Sequence, residues 1–306
     1  MVSPPEGFMD SIKTRAALAL LLTMIFWGSA AVFMRTLALS LSPENSLALR
    51  YVFITAINIA GLAILGGWRI RREHWVRFLI AGLAGMGGYN AFVNAGFELV
   101  PAGVGTIVTM VEPMMIAVLA WFLLRERITP FVFGGIIVAT LGAIVLFWPD
   151  LTADVQNPIS PRGIVYLMIC CLCWAIYTVV CKPLFETYSS FTVTAVTMLI
   201  SAPLLIALAT EPLLTLAAKL DARQWFEVAY LVLPSGIIGT LLWNYGSKHL
   251  SGGVTGSFLY LIPVVAVVCG ALILKEDVTI YVIAGGAMIL AGVALAQFGP
   301  NFFRQA

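Results

Sequence analysis

Charge is what this sequence has least of: only 10% of its 306 residues are Asp, Glu, Lys or Arg, against about 25% in soluble domains. That shortage excludes an ordinary soluble globule, and it excludes disorder, which requires low hydrophobicity and high charge. A net charge of +2, scattered along the chain, is too weak for a nucleic-acid surface, which needs a concentrated basic face. The two histidines, His74 and His249, lie where hydrophobic runs end, and all five aspartates fall in tails or connections. No aspartyl dyad can therefore form at membrane depth. Ser29 and Ser235 have small neighbours but no mid-membrane His to activate them, so the chain is not expected to be an enzyme. The cysteines are few and poorly placed for cross-linking. Cys170, Cys171 and Cys173 share one apolar run, Cys269 sits in another and Cys181 lies near a helix end, unlike the loop cysteines of a secreted disulfide framework. They also lack the spacing and the His pair of a zinc site. No metal and no cofactor is expected.

What is abundant is hydrophobicity. Apolar residues make up 61% of the chain and the mean hydropathy is +0.99, which points to a polytopic membrane protein. Hydrophobic runs α1 to α5 fall at roughly 15–40, 45–67, 75–98, 101–124 and 129–149. A polar stretch, Asp150 to Arg162, follows, and then α6 to α10 at roughly 162–185, 189–210, 225–247, 251–274 and 279–299. The first run, Ala16 to Leu41, is longer than a signal-peptide core. The runs are too long, and lack the alternation, for a transmembrane barrel. The expected fold class is all-α, with ten transmembrane helices.

The halves match each other at an offset of 150 residues. Asn94 and Gly96 align with Asn244 and Gly246, Pro113 with Pro263, Leu124 and Glu126 with Leu274 and Glu276, Thr129 with Thr279, and Gly135 and Gly142 with Gly285 and Gly292. The chain is read as two five-helix repeats, 1–150 and 151–306. An odd number of spans per repeat makes the second copy cross in the opposite sense, so the repeats are inverted. Positive charge agrees with both termini in the cytoplasm: Lys13, Arg15, Arg69, Arg71, Arg72, Arg77, Arg125, Arg127, Lys182, Lys248 and Arg304 then fall inside, and Arg162, Lys219, Arg223 and Lys275 outside.

Few polar groups remain at depth. Glu112 sits in mid-α4 directly before Pro113, where a carboxylate is costly and marks a cavity or a partner. The proline removes a backbone hydrogen bond and opens the helix. The counterpart of Glu112 is Ile262, so this carboxylate occurs once. Around this depth lie Trp27 on α1, Tyr89, Asn90 and Asn94 on α3, Trp174 and Tyr177 on α6, Trp243 and Asn244 on α8, and Tyr260 on α9. Aromatics with a few amides and one carboxylate suit a pocket for a small amphipathic solute. Core filling and symmetric helix-helix hydrogen bonds are the structural alternatives. Arg35 and Arg50 are expected to snorkel or to pair with Glu44, and Glu98 to be solvated. The glycines of α5 and α10, seven residues apart on one helix face, are read as packing sites.

Together, Trp27-Gly28, the Arg50 of A-L-R-Y, the mid-helix prolines Pro113 and Pro263, the two L-x-E helix ends and the paired glycines resemble the drug/metabolite transporter (DMT) superfamily in its EamA-type branch. Within it the sequence is most similar to the aromatic amino-acid exporter group (YddG-like). The resemblance implies an inner-membrane carrier that exports amino acids and related metabolites by alternating access around a central cavity lined by α1, α3, α4, α6, α8 and α9. A multidrug or lipophilic-cation carrier, a nucleotide-precursor carrier and a lipid flippase are the alternatives. The implied partners are a small-molecule substrate and the bilayer, with no nucleic acid, and a monomer suffices. Small multidrug relatives carry a coupling Glu in their first helix. Here α1 has none, which leaves Glu112 as the coupling candidate.

Overall fold

The structure, a computed structural model, describes residues 6–37, 40–100, 102–152, 160–274 and 279–302. Ten apolar helices are present: α1 Glu6–Leu37, α2 Pro43–Leu65, α3 Arg72–Phe97, α4 in segments Ala102–Thr109 and Glu112–Leu124, α5 Pro130–Leu146, α6 Pro161–Cys181, α7 Ser190–Ile206, α8 Ala222–His249, α9 Gly252–Ile273 and α10 Ile280–Phe302. Eight are long and apolar enough to cross a membrane, and α5 and α7 are shorter apolar helices of 17 residues each. Among the described residues there is no strand. The face at the start of α1 is called the terminal face; the opposite one is the far face.

Helix starts follow from local chemistry. The side chains of Ser42, Thr129, Ser160, Ser189, Asp221 and Ser251 accept hydrogen bonds from backbone N–H groups of α2, α5, α6, α7, α8 and α9, satisfying donors that would otherwise be orphaned at a helix start. Pro43, Pro130 and Pro161 follow three of these caps, at the position where a missing N–H costs nothing.

Irregularities recur at corresponding places in the halves. The first segment of α4 ends at Thr109, whose carbonyl lies four residues before Pro113 and cannot be paired by it. α9 narrows to a 3₁₀ turn at Phe258–Tyr260, just before Pro263. α3 and α8 each carry a π-helical stretch, Ile80–Gly87 and Leu231–Ile238. Pro234 lies within the second; the first contains Gly82, Gly85 and Gly87.

Packing pairs α1 with α8 and α9, α3 and α4 with α6, α2 with α7, and α5 with α10. The α5–α10 seam is held by glycine: a Cβ on Gly135 would lie 2.5 Å from Gly292 O, and one on Gly285 would lie 2.5 Å from Gly142 O. In lipid, where there is no hydrophobic drive between helices, such close backbone approach supplies the dispersion contact. Trp243, Tyr177 and Tyr260 are among the largest fully buried side chains, whereas Ile64 and Phe122 are 82% and 73% exposed on the periphery. Arg35, read as a snorkelling residue, and Glu276, the second helix-end carboxylate, lie outside the described side chains.

Candidate functional site

The discontinuities of α4 and α9 meet. The Tyr260 hydroxyl, in the 3₁₀ turn of α9, donates to Met110 O at 3.0 Å and shares a 2.7 Å hydrogen bond with Thr140 Oγ1 on α5. The other carbonyl freed in α4, Thr109 O, faces Cys171 Sγ at 3.9 Å. Glu112 opens the second segment of α4 and is 8% exposed. Its electrostatic neighbours are Cys171 on α6 and Tyr89 on α3, with no Lys, Arg or His acting on it among the described residues. A carboxylate buried in this way is costly unless a proton or a cationic group neutralises it.

Beside it stands an aromatic cluster. Trp27 and Trp174, each the mid-helix tryptophan of α1 or α6, meet edge to face with ring centroids 5.3 Å apart. Trp243 lies 5.5 Å from Trp27 and 5.6 Å from Trp174; Tyr89 and Tyr177 each lie 5.0 Å from Trp174. These separations fall in the range of favourable ring contacts. Hydrogen bonds fix several members. Trp27 Nε1 donates to Ser235 O at 2.9 Å, in the π-helical stretch of α8. Trp243 Nε1 donates to Thr178 Oγ1 at 3.3 Å. Asn244 Nδ2 donates to Tyr177 OH and to Thr194 Oγ1, both at 2.8 Å. Asn90 Nδ2 donates to Met86 O at 2.9 Å and to Tyr51 OH at 3.4 Å. Of the six buried side-chain polar atoms that have no partner among the described residues, two belong to this cluster: Trp174 Nε1 and Asn244 Oδ1.

The structure thus gathers α1, α3, α4, α6 and α8 around Trp174, with Tyr260 at the α4–α9 crossing. Trp174, Tyr177, Trp243, Asn244 and Tyr260, which the sequence reading made lining groups of a pocket, are buried against their neighbours; Trp27, Tyr89, Asn90 and Asn94 are half-buried. Two cavities lie away from this cluster. One of about 540 Å³ is a mostly apolar recess between α2 and α7, and one of about 170 Å³ lies between α1, α8 and α9 near buried Glu227.

The family model described as the EamA-like transporter family matches residues 14–148 and again residues 161–298. The chain belongs to this family. It is a multi-pass membrane transporter of a small-molecule substrate, and family members are transporters, not enzymes. It is 29% identical over 276 residues to an uncharacterized transporter of Archaeoglobus fulgidus, covering 90% of this chain and 96% of that one. It is also 29% identical to a probable terminal-alkyne amino-acid exporter of Streptantibioticus cattleyicolor, covering 92% and 93% of the two chains. A solved crystal structure shares its fold with a TM-score of 0.78 at 22% identity, covering 95% of this chain and 99% of that one.

Three features of this EamA transporter were not anticipated. Glu126, noted only as a repeat marker, accepts from Lys182 Nζ and from Gly252 N; the signal for it was the L-x-E motif that closes α4. Cys171, set aside as structural, touches a freed carbonyl. Glu98, expected to be solvated, shares a hydrogen bond with Glu44 where α3 ends beside the start of α2. That bond, followed by burial and the Glu44 charge, raises the Glu98 carboxyl to about 7. Arg50, read as snorkelling or pairing with Glu44, donates instead from its Nε to Ser46 O at 3.2 Å.

Proposed function

We propose that this transporter exports amino acids, aromatic and apolar ones included, with related metabolites, across the inner membrane by alternating access. Its termini are cytoplasmic, and its halves, 1–150 and 151–306, are inverted copies. The observation that carries the reading is the cluster itself: five aromatic rings from four helices, two unpartnered buried polar atoms among them, and an adjoining carboxylate without a cation. The ring faces suit an apolar side chain, and they also attract an ammonium group. Trp174 Nε1 supplies a free donor and Asn244 Oδ1 a free acceptor for a solute with groups of both kinds. Glu112 neutralises a substrate amine or carries a coupling proton. Trp27, Tyr89, Tyr177, Trp243 and Tyr260 shape the site, and Asn90 and Asn94 orient polar groups at its half-open side. The Streptantibioticus relative, described as a probable amino-acid exporter, supports this substrate class.

Purified protein in proteoliposomes, loaded in turn with radiolabelled amino acids, lipophilic cations and nucleotide precursors, tests the reading. Flux of phenylalanine, tryptophan or leucine is expected. Flux of the other solutes with no amino acid transported would overturn it, and lipid scrambling alone would replace it with a flippase.

A further inference from the structure

We propose that Glu126, Lys182 and the start of α9 form a latch that closes the terminal face and opens in each transport cycle. Three segments distant in sequence meet there. Glu126, just past the end of α4, takes the Lys182 ammonium on Oε1 and the Gly252 N–H on Oε2 at 2.6 Å. One carboxylate therefore ties α4 to the end of α6 by charge and to the first turn of α9 by a backbone bond. The Lys182 and Glu126 side chains are 14% and 23% exposed, whereas the surface pair Arg71–Glu73 is 65% and 63% exposed. The shielded pair is less screened by water and salt. Arg125, left-handed at φ 55°, ends α4 immediately before Glu126.

Behind the latch the helices are in contact. A Cβ on Gly252 would lie 2.6 Å from Ala120 Cβ, one on Gly253 would lie 2.7 Å from Val132 Cγ1, and one on Gly256 would lie 3.2 Å from Pro113 O. The far-face halves behave differently. Among the described residues, Ala102–Thr109 packs on α6 and Leu261–Cys269 on α1 and α10, with no comparable contact between the two segments. The described state is closed on the terminal side and parted on the other. Ile116, 0% exposed, lies against Gly252 and Gly256. Its counterpart in the second half, Ala266, is half-buried.

Those two positions give the test. Ile116→Cys and Ala266→Cys are made separately, and their reaction with a maleimide in detergent is quantified peptide by peptide, so the native cysteines stay in place. Position 266 is expected to react and position 116 to resist. Adding Lys182→Met should speed labelling at 116 by about tenfold, the equivalent of about 1.4 kcal/mol of lost closure, and slow it at 266. Glu126→Gln keeps an oxygen for Gly252 but loses the charge; it should move both rates the same way, by less, and it carries the test if Lys182→Met does not fold. Rates unchanged by the latch substitutions, or rates rising at both positions together, would overturn the proposal. The outcome does not depend on which solute is carried.

Discussion

α4 and α9 break at positions 150 residues apart that meet in the structure, each just before a proline, and yet they do different work. The break in α4 carries Glu112, with its freed carbonyls answered by Cys171 and Tyr260; the break in α9 has Ile262 in place of the carboxylate and offers the Tyr260 hydroxyl to its partner. The scaffold is common to both halves, and the chemistry belongs to one. Proline alone is enough to interrupt a backbone, whereas a charge at bilayer depth is expensive, and of these two breaks only that of α4 carries one.

The comparison breaks most decisively at Glu112. Glu112→Gln is expected to lower flux at least tenfold, the scale of losing one charged interaction, and adding Ile262→Glu should not restore it. Proteoliposome flux measures both, and rescue from position 262 would show that the two breaks are interchangeable. Next comes the glycine seam. Gly285→Ala drives a methyl onto Gly142 O and Leu146 N, each 2.5 Å away, while Gly286→Ala meets nothing within 4 Å. The first should cost about 3 kcal/mol by overpacking, and the second less than about 0.5 kcal/mol, alanine being the better helix former. Thermal unfolding in detergent compares them.

The matched asparagines sharpen the contrast further. Asn244 is 1% exposed and donates two hydrogen bonds, while Asn94 is half-buried. Asn244→Ala should therefore lower stability by about 1–2 kcal/mol, and Asn94→Ala by a few tenths at most. Equal costs would mean that the pair serves one symmetric role. The smallest effect is at the far face. Glu98 holds its proton more tightly in the folded protein than an ordinary carboxyl does, and Glu44 less tightly, so the Glu44–Glu98 bond is complete at mildly acidic pH, with Glu98 protonated and Glu44 ionised, and is lost as pH rises through about 7. The melting temperature should decline slightly across that window, and Glu98→Gln should flatten the decline.

Much of this was legible in the chain. Ten runs of membrane length, the interrupted helices at Pro113 and Pro263, and the glycine faces of α5 and α10 follow from hydropathy and from what proline and glycine do to backbone. The π-helical stretch of α3 was not legible, because unlike that of α8 it contains no proline. Nor was the difference between half-buried Tyr89 and fully enclosed Tyr177, since a mid-helix aromatic does not reveal which neighbours close over it. The partners of Glu126 and of exposed Glu98 were missed for one reason. Both stand at helix ends, where sequence suggests water, and their partners, Lys182 and Glu44, arrive from helices that only the three-dimensional arrangement brings near.

The α5–α10 seam has a mechanical corollary. Backbone atoms already at contact cannot come closer, so glycine sets the spacing of these two helices and leaves no long side chain to interlock across them.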